Sequence, residues 1–222
     1  MFDKLVLLAD EAEQTYLSRS LTRWNGDLDI IPVATGPSLT RLAPNVLARA
    51  RLIAFATPVV VPAPILDALG YGAYNFHPGP PEYRGWYPHC FAVYENAAHF
   101  GVTAHAMARR VDSGPIVGLE RFDIPPGSDA GALGEQVYAA LLALFARLAQ
   151  PLAAEAGLLP HMSAQWGPRI TTRRDFAAMC RISFDMRPEE IRRRIRAFGS
   201  GDGISRPGLE LHGHHFTYAA QG

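Results

Sequence analysis

The sequence predicts an α/β fold built on a doubly wound, mostly parallel sheet. Three observations predict it: short aliphatic runs recur in the first half of the chain, helical segments separate them, and a turn-rich polar stretch follows the fourth run. Near-continuous apolar strands that alternate with helices are typical of a parallel sheet buried on both faces. Because such sheets bind ligands outside the carboxyl ends of their strands, we expect a site at the polar stretch.

The first half of the chain supplies four predicted strands and two predicted helical segments. The strands cover 5–9, 28–33, 52–57 and 73–76, and the helical segments cover 11–24 and 39–49. The fourth strand ends in Asn75-Phe76-His77, and the chain continues with Pro78-Gly79-Pro80-Pro81. Prolines and glycine at this density exclude a helix and indicate a rigid loop.

The second half continues with a helix, two strands and a long helix. These segments cover 88–96, 102–108, 115–122 and 130–156. Pro151 lies inside the long helix, and because an interior proline removes a backbone donor, we expect the helix to bend or restart there.

The segment from residue 161 onward is predicted to be a small C-terminal extension of a main domain that covers 1–160. A helix at 188–198 and a hairpin around 209–218 are its predicted elements. The glycine-rich run 199–203 follows a helix, whereas a dinucleotide-binding fingerprint follows a strand, so we interpret it as a turn.

Composition excludes several classes of protein. Lys+Arg and Asp+Glu number 21 each, so no global basic field attracts nucleic acid or anionic membrane. Cys90 and Cys180 are far apart, which argues against a disulfide framework and a cysteine zinc site. The N-terminus lacks the basic start of a signal peptide, and the longest apolar stretch, 52–66, contains three prolines. We therefore expect a soluble, cytoplasmic protein.

Asn75, His77 and Asp112 are the candidate catalytic residues. Positions i and i+2 of a strand project to the same side, so the Asn75 amide and the His77 imidazole can converge at the predicted strand end. Asp112 lies in the turn between two later strands, where its carboxylate could reach the imidazole. The alternative is purely structural, because Asn at a strand end and Asp in a turn commonly satisfy nearby backbone groups.

Four motifs in order resemble the signature of the folate-dependent formyltransferases, a family that includes glycinamide ribonucleotide, methionyl-tRNA and sugar N-formyltransferases. The likeness extends from about residue 53 to residue 148, and more loosely over 189–198. It implies the family's Rossmann-like α/β fold. The motifs are Asn75-Phe76-His77, Arg84-Gly85, Gly101-Val102-Thr103 and Asp112-Ser113-Gly114-Pro115-Ile116.

The resemblance also implies an activity, in which 10-formyltetrahydrofolate supplies a formyl group to an amine without a metal. The family's catalytic residues correspond to Asn75, His77 and Asp112. An Asn amide can stabilise the oxyanion, an imidazole can hold or relay a proton, and a carboxylate can orient the ring. The resemblance places the folate pocket on two loops, with Val59, Val60 and Val61 on one and Met107, Ala108 and Arg109 on the other.

The acceptor is expected to be a nucleotide-linked amino sugar. The stretch Arg84-Gly85-Trp86-Tyr87-Pro88-His89 resembles the sugar N-formyltransferases more than the other branches, which makes Arg84, Trp86 and His89 candidate acceptor-binding residues. The Pro-Gly-Pro-Pro loop departs from the family's frequent Ser-Leu-Leu-Pro, and this loop usually faces the acceptor. Methionyl-tRNA is the second acceptor considered, although the even charge balance disfavours it. A homodimer is left open.

Two further functions differ in kind: a formyltetrahydrofolate hydrolase, in which water replaces the amine, and a folate- or nucleotide-binding protein without turnover.

Two clusters also have a functional alternative. The arginines of 192–196 are expected to form a solvated face rather than a phosphate site. The histidines of 212–215 are expected to be exposed rather than metal ligands, because a hairpin divides alternating residues between its faces.

Overall fold

A computed structural model describes residues 2–200 and 206–219. The chain divides into two compact units, each assembled from three stretches. The predicted boundary at residue 160 cuts the sequence at one point, whereas these units are defined by spatial contacts, so that boundary stays a prediction. The first unit contains Met1–His77, Val102–Glu120 and Leu141–Trp166, and the second contains Pro78–Gly101, Arg121–Ala140 and Gly167–Gly222.

Strands and helices alternate through the first half of the chain, as the aliphatic runs predict. A long helix then separates the main sheet from the C-terminal elements. In chain order the elements are β1 (Lys4–Leu8), α1 (Glu11–Thr22), β2 (Asp29–Val33), α2 (Gly36–Thr40), α3 (Pro44–Leu47), β3 (Ala50–Phe55), α4 (Ala63–Ala68), β4 (Ala73–His77), β5 (Arg84–Gly85), α5 (Pro88–Glu95), β6 (His99–Ala106), β7 (Ile116–Asp123), α6 (Ala130–Ala154), β8 (Ile170–Thr171), α7 (Arg173–Met179), α8 (Pro188–Phe198), β9 (Gly208–Leu211) and β10 (His214–Thr217).

The central sheet has six strands in the order β2-β1-β3-β4-β6-β7. Strand β1 pairs in parallel with β2 and β3, and β3 pairs in parallel with β4. Strand β6 pairs antiparallel with β4, so the parallel part of the sheet ends at β4. The predicted α/β fold with a mostly parallel sheet is therefore confirmed.

Two features of the helices differ from the prediction. In place of one helix over 39–49 the chain forms two short helices, α2 and α3, because Pro44 occupies the first turn of α3 and holds Ala43 before it in an extended conformation. Helix α6 does not restart at Pro151 but continues through it to Ala154. Because α6 ends at Ala154, few backbone hydrogen bonds of the helix lie beyond Pro151.

The core of the first unit is aromatic where α6 covers the sheet. Phe55 of β3, Phe76 of β4 and Phe145 of α6 are buried, and their ring centroids lie 5.1–6.0 Å apart. Burying one such side chain contributes roughly 1.5–3 kcal/mol. This packing holds the carboxyl end of β4, where Asn75 and His77 lie.

A fully buried arginine ties the end of α6 to β3. The Arg51 guanidinium donates to the carbonyl oxygens of Pro151, Leu152 and Gly157 at 2.6–3.2 Å, and to that of Tyr71 at 3.1 Å. The last carbonyls of a helix have no intrahelical partner, and here a cation satisfies them. Burial lowers the pKa of this guanidinium below its ordinary value.

The C-terminal elements belong to the second unit, and the predicted helix 188–198 is confirmed as α8. Strands β9 and β10 form the predicted hairpin. His212 and Gly213 connect them with φ values of 50° and 78°, the signature of a type I′ turn. The interpretation of 199–203 as a turn cannot be followed to its end, because residues 201–205 lie outside the described part of the chain.

One described helix, α6, is long and apolar enough to cross a membrane by length and composition. The core helix of a folded domain passes the same test. Several of its apolar side chains, including Leu141, Leu144 and Phe145, are fully buried against the protein.

Candidate active site

The register of two antiparallel strands places polar side chains opposite one another. Asn75 of β4 pairs with His105 of β6, and His77 pairs with Thr103. His77, Thr103 and His105 are all at least 97% buried. Polar groups in this setting are normally hydrogen-bonded.

Asp112 lies between two imidazole rings. Its Oδ2 is 3.6 Å from Nδ1 of His77, and its Oδ1 is 3.4 Å from Nε2 of His105. Nδ2 of Asn75 is 3.2 Å from the same Nε2, so the four side chains form one connected group in the first unit. The structure thus brings the three predicted residues together, with His105 linking Asn75 to Asp112. A buried carboxylate beside an imidazole favours the charged ring and orients it.

The loop after β6 holds Asp112 in a left-handed conformation, with φ 45°. Aspartate tolerates this region better than most residues. Two residues later the loop returns against β6 so closely that a Cβ on Gly114 would lie 1.9 Å from the carbonyl oxygen of Ala106. Glycine is therefore required at position 114, and Asp112 reaches the histidines because of this tight return.

Trp166 covers the two histidine rings. Its ring centroid lies 5.0 Å from that of His105 in an edge-to-face arrangement and 6.0 Å from that of His77. The indole Nε1 donates to the carbonyl oxygen of Gly114 at 2.7 Å. The same side chain thus packs on the imidazoles and fixes the loop that carries Asp112.

His105 and Trp166 are missing from the sequence-based site. A signal for His105 existed, because Thr103 and His105 alternate with the apolar residues Val102, Ala104 and Ala106 in β6. Trp166 lies in an irregular segment after α6, and no local pattern indicated its position.

The two predicted donor loops contact a common core in the first unit. Val59, Val61 and Met107 all pack against the apolar cluster formed by β1, β3 and their neighbours. Val60 is exposed, with 65% of its surface accessible, and Arg109 is an exposed partner of Asp67 at 2.9 Å. Apolar side chains on both loops suit a flat heterocycle, so the residues present fit a pterin.

The three candidate acceptor residues lie in the second unit. Arg84 is buried and donates to the carbonyl oxygen of Gly167 at 2.8 Å. The backbone N–H of Trp86 donates to Thr171 at 2.9 Å, and the guanidinium of Arg173 lies 4.7 Å from the Trp86 ring centroid. His89 stands on the first turn of α5, and its ring centroid is 5.8 Å from that of Tyr87.

Most arginines of α8 bind protein carbonyls. Arg193 and Arg196 donate to the carbonyl oxygens of Tyr94 and Val93 at the end of α5. Arg194 donates to Arg181 at 2.8 Å and to Glu190 at 2.6 Å. The prediction of a solvated face is therefore wrong for these three, and holds for Arg192, whose side chain is 70% exposed. The amphipathic pattern predicted the helix. It did not predict that its arginines donate hydrogen bonds to carbonyl oxygens near the ends of neighbouring helices.

No group of three or more His, Cys, Asp or Glu side chains within 2–200 and 206–219 has a geometry that could hold a metal ion. The histidines at 212, 214 and 215 are exposed on the hairpin. The expectation that catalysis needs no metal stays a prediction.

Comparisons with known proteins concern the family and the fold of this chain. The family model described as formyl transferase matches residues 46–146, a stretch that contains Asn75, His77, His105 and Asp112. A sugar N-formyltransferase from Shewanella has the same fold, with a TM-score of 0.77 at 16% identity over 99% of this chain and 98% of that one.

Two curated relatives match over part of their length. A methionyl-tRNA formyltransferase from Geobacillus thermodenitrificans is 29% identical over 67% of this chain and 49% of its own. A dTDP-4-amino-4,6-dideoxyglucose formyltransferase from Mycobacterium tuberculosis is 28% identical over 62% of this chain and 60% of its own. The chain thus matches about half to three-fifths of these relatives. The resemblance seen in the sequence is confirmed, because residues 46–146 of this chain match the formyl transferase family model.

Proposed function

We propose that the protein transfers a formyl group from 10-formyltetrahydrofolate to a primary amine. The observation that carries the proposal is the connected group of Asn75 with the buried side chains of His77, His105 and Asp112, within the stretch that matches the formyl transferase family. Amide, imidazole and carboxylate side chains in contact are what acyl transfer to an amine requires.

Each side chain has a role in a balanced reaction. The amine nitrogen attacks the formyl carbon, the carbonyl oxygen becomes an oxyanion, and the bond from carbon to N10 then breaks. Asn75 donates its amide N–H to the oxyanion. His77 takes the proton that the amine loses and returns it to N10, so that tetrahydrofolate leaves neutral at that nitrogen. Asp112 orients the His77 ring and stabilises its charged form.

We further propose that the acceptor is a nucleotide-linked amino sugar. The supporting feature is the pair formed by Trp86 and Arg173 in the second unit. Nε1 of Trp86 is shielded from solvent and meets no hydrogen-bond acceptor within the described parts of the chain. An indole beside a guanidinium can stack on a base and bind phosphate oxygens, which are the two parts that a nucleotide adds to an amino sugar.

Methionyl-tRNA is the second candidate acceptor, because one of the two relatives reported above is a methionyl-tRNA formyltransferase. The chain carries 21 cationic and 21 anionic side chains, and three arginines of α8 donate to protein carbonyls. Tight RNA binding relies on many phosphate contacts, so we rank this acceptor lower.

One assay distinguishes these functions. The protein is incubated with 10-formyltetrahydrofolate and, in parallel, with dTDP-linked amino sugars, methionyl-tRNA or no acceptor, and release of tetrahydrofolate is followed. Release that requires an amino sugar and yields the N-formyl product supports the proposal. Release without acceptor identifies a hydrolase, and release with methionyl-tRNA alone moves the acceptor to RNA. Absence of release together with absence of folate binding overturns the function.

A further inference from the structure

His105 is buried in the site, yet the reaction outlined above gives it no chemical step. Both nitrogens of its ring have neighbours. Nδ1 is 2.9 Å from the carbonyl oxygen of Ala106, while Nε2 faces Nδ2 of Asn75 at 3.2 Å and Oδ1 of Asp112 at 3.4 Å. These contacts decide where the ring carries its proton.

The carbonyl oxygen of Ala106 can only accept, so Nδ1 of His105 must carry a hydrogen. In the neutral ring Nε2 is then an acceptor, and the group facing it must donate. The Asn75 amide satisfies this when its NH₂ end points to His105, as it does in the structure. One N–H of Asn75 is thereby fixed, and the geometry of the second N–H follows from it.

Protonation of His105 changes this arrangement. The cation carries hydrogens on both nitrogens, so Nε2 becomes a donor. It then pairs with Oδ1 of Asp112, while the NH₂ end of Asn75 opposes another donor and the amide must turn. The heavy atoms thus support two hydrogen-bond patterns, and the charge on His105 selects between them.

We propose that His105 is a positioning residue whose neutral, Nδ1-protonated ring fixes the amide orientation that Asn75 needs to donate to the oxyanion, and whose protonation releases that amide. The proposal rests on the proposed function. It predicts that acidification lowers the rate through His105, in addition to any effect on His77.

The surroundings of His105 define what else influences its charge. Asp112 and His77 are the titratable groups grouped with it, the first from the loop after β6 and the second from β4. Trp166 covers the ring from the segment after α6 and adds no charge. Asp112 is thus the one carboxylate, among these groups, that both imidazoles contact.

Histidine NMR tests the tautomer without any turnover. In protein labelled with ¹³C and ¹⁵N, the His105 ring at pH 8 should show the Nδ1–H tautomer, and the Asn75 side-chain amide signals should shift in step with the titration of His105. An Nε2–H tautomer at pH 8, or Asn75 signals that ignore the titration, overturns the proposal.

Kinetics of two variants test the consequence. His105→Gln places a carbonyl oxygen, an acceptor that does not titrate, near the Nε2 position, whereas His105→Leu offers none. We expect His105→Leu to lower kcat by roughly tenfold to hundredfold, with a smaller change in KM for the formyl donor, because the loss is one of orientation. His105→Gln should keep more activity at pH 8 and retain it to lower pH than the unmodified protein.

The control is His99→Gln, on the same strand but with a side chain 72% exposed. It should leave the pH profile unchanged. Equal activity of the Gln and Leu variants at pH 8, or an unaltered acid limb in His105→Gln, overturns the positioning role. Absence of formyl transfer by the unmodified protein would instead overturn the proposed function, and the NMR result would still decide the tautomer.

Discussion

At the scale of single residues, buried polar side chains carry most of what is specific to this chain. His77, His105, Asp112 and Arg51 are all at least 96% buried. Burying such groups costs free energy unless partners satisfy them. Three of the four meet in the candidate site, and Arg51 instead holds the end of a helix, so removing each has a different consequence.

His77→Ala should lower kcat by roughly a hundredfold or more, because the variant loses the proton relay. We expect the far-UV circular dichroism spectrum and the folded state to persist, since the strand register and the aromatic core do not depend on the imidazole. Stopped assays of tetrahydrofolate release measure the effect. A variant that fails to fold, with no kinetic signal of its own, would favour a structural role for His77.

Arg51→Met should lower the free energy of unfolding by at least about 3 kcal/mol, because four carbonyl oxygens lose a charged donor. Urea denaturation measures this change. Arg49→Met is the matched control: the side chain of Arg49 is half exposed and pairs with Asp3, so its loss should cost less than about 1 kcal/mol. Similar costs for the two variants would contradict the anchoring role.

At the scale of elements, the arginines of α8 connect this helix to α5 and α7 by hydrogen bonds. Arg194 donates to the carbonyl oxygens of Met179, the last residue of α7, and of Arg181 beyond it, while Arg193 and Arg196 donate to the end of α5. Cations at helix C-termini are favourable because they satisfy the last carbonyls and complement the helix dipole. The basic run is therefore part of how the second unit is held together.

Arg194→Gln should lower the free energy of unfolding by about 1–2 kcal/mol, because a partly buried cation loses hydrogen bonds to carbonyls and to Glu190. Arg192→Gln, on an exposed side chain, should change it by less than about 0.5 kcal/mol. Thermal unfolding of the two variants side by side provides the comparison, and an equal loss would show that helix propensity rather than docking is responsible.

The same contact predicts a pH dependence. The hydrogen bond from Arg194, aided by that from Tyr94, lowers the pKa of the Glu190 carboxyl below its ordinary value. A lowered pKa means stability that is present above the ordinary value and is lost as the pH falls through the folded one. Glu190→Gln should therefore be less stable than the unmodified protein at pH 7, and the difference should shrink below pH 4. A difference that is constant with pH would contradict the assignment.

Local patterns in the sequence predicted helices and strands better than they predicted contacts between distant residues. Helix α8 was predicted to the residue because Pro188 starts it and apolar positions recur at helical spacing. Asn75, His77 and Asp112 could be predicted because their motifs are local. His105 required the register of an antiparallel strand pair, and Trp166 required the path of an irregular segment. Neither the strand register nor the chain path can be predicted from a short stretch of neighbouring residues.

At the scale of the whole molecule, both cysteines lie in the second unit and are buried. Burial raises the pKa of the Cys180 thiol to about 11. At pH 8 about one thiol in a thousand would then be the reactive thiolate. The thiols therefore report on opening of the second unit.

Native protein should react with a thiol reagent at pH 8 far more slowly than protein in denaturant, where both thiols react at the ordinary rate. Strands β6 and β7 and helix α6 contribute residues to both units, so we expect thiol exposure in urea to follow the same curve as loss of helix. Fast labelling without denaturant would contradict the burial, and separate curves would show that the second unit opens first.

The antiparallel pairing of β4 with β6 has a consequence for protein engineering. Asn75 and His105 are fixed by strand register rather than by loop conformation, and the loop that begins at Pro78 starts only after that pairing ends. Randomised libraries confined to residues 78–83 should thus leave the spacing of Asn75 and His105 unchanged. Sequence changes in that loop can therefore be screened without altering the strand pair that carries the candidate site.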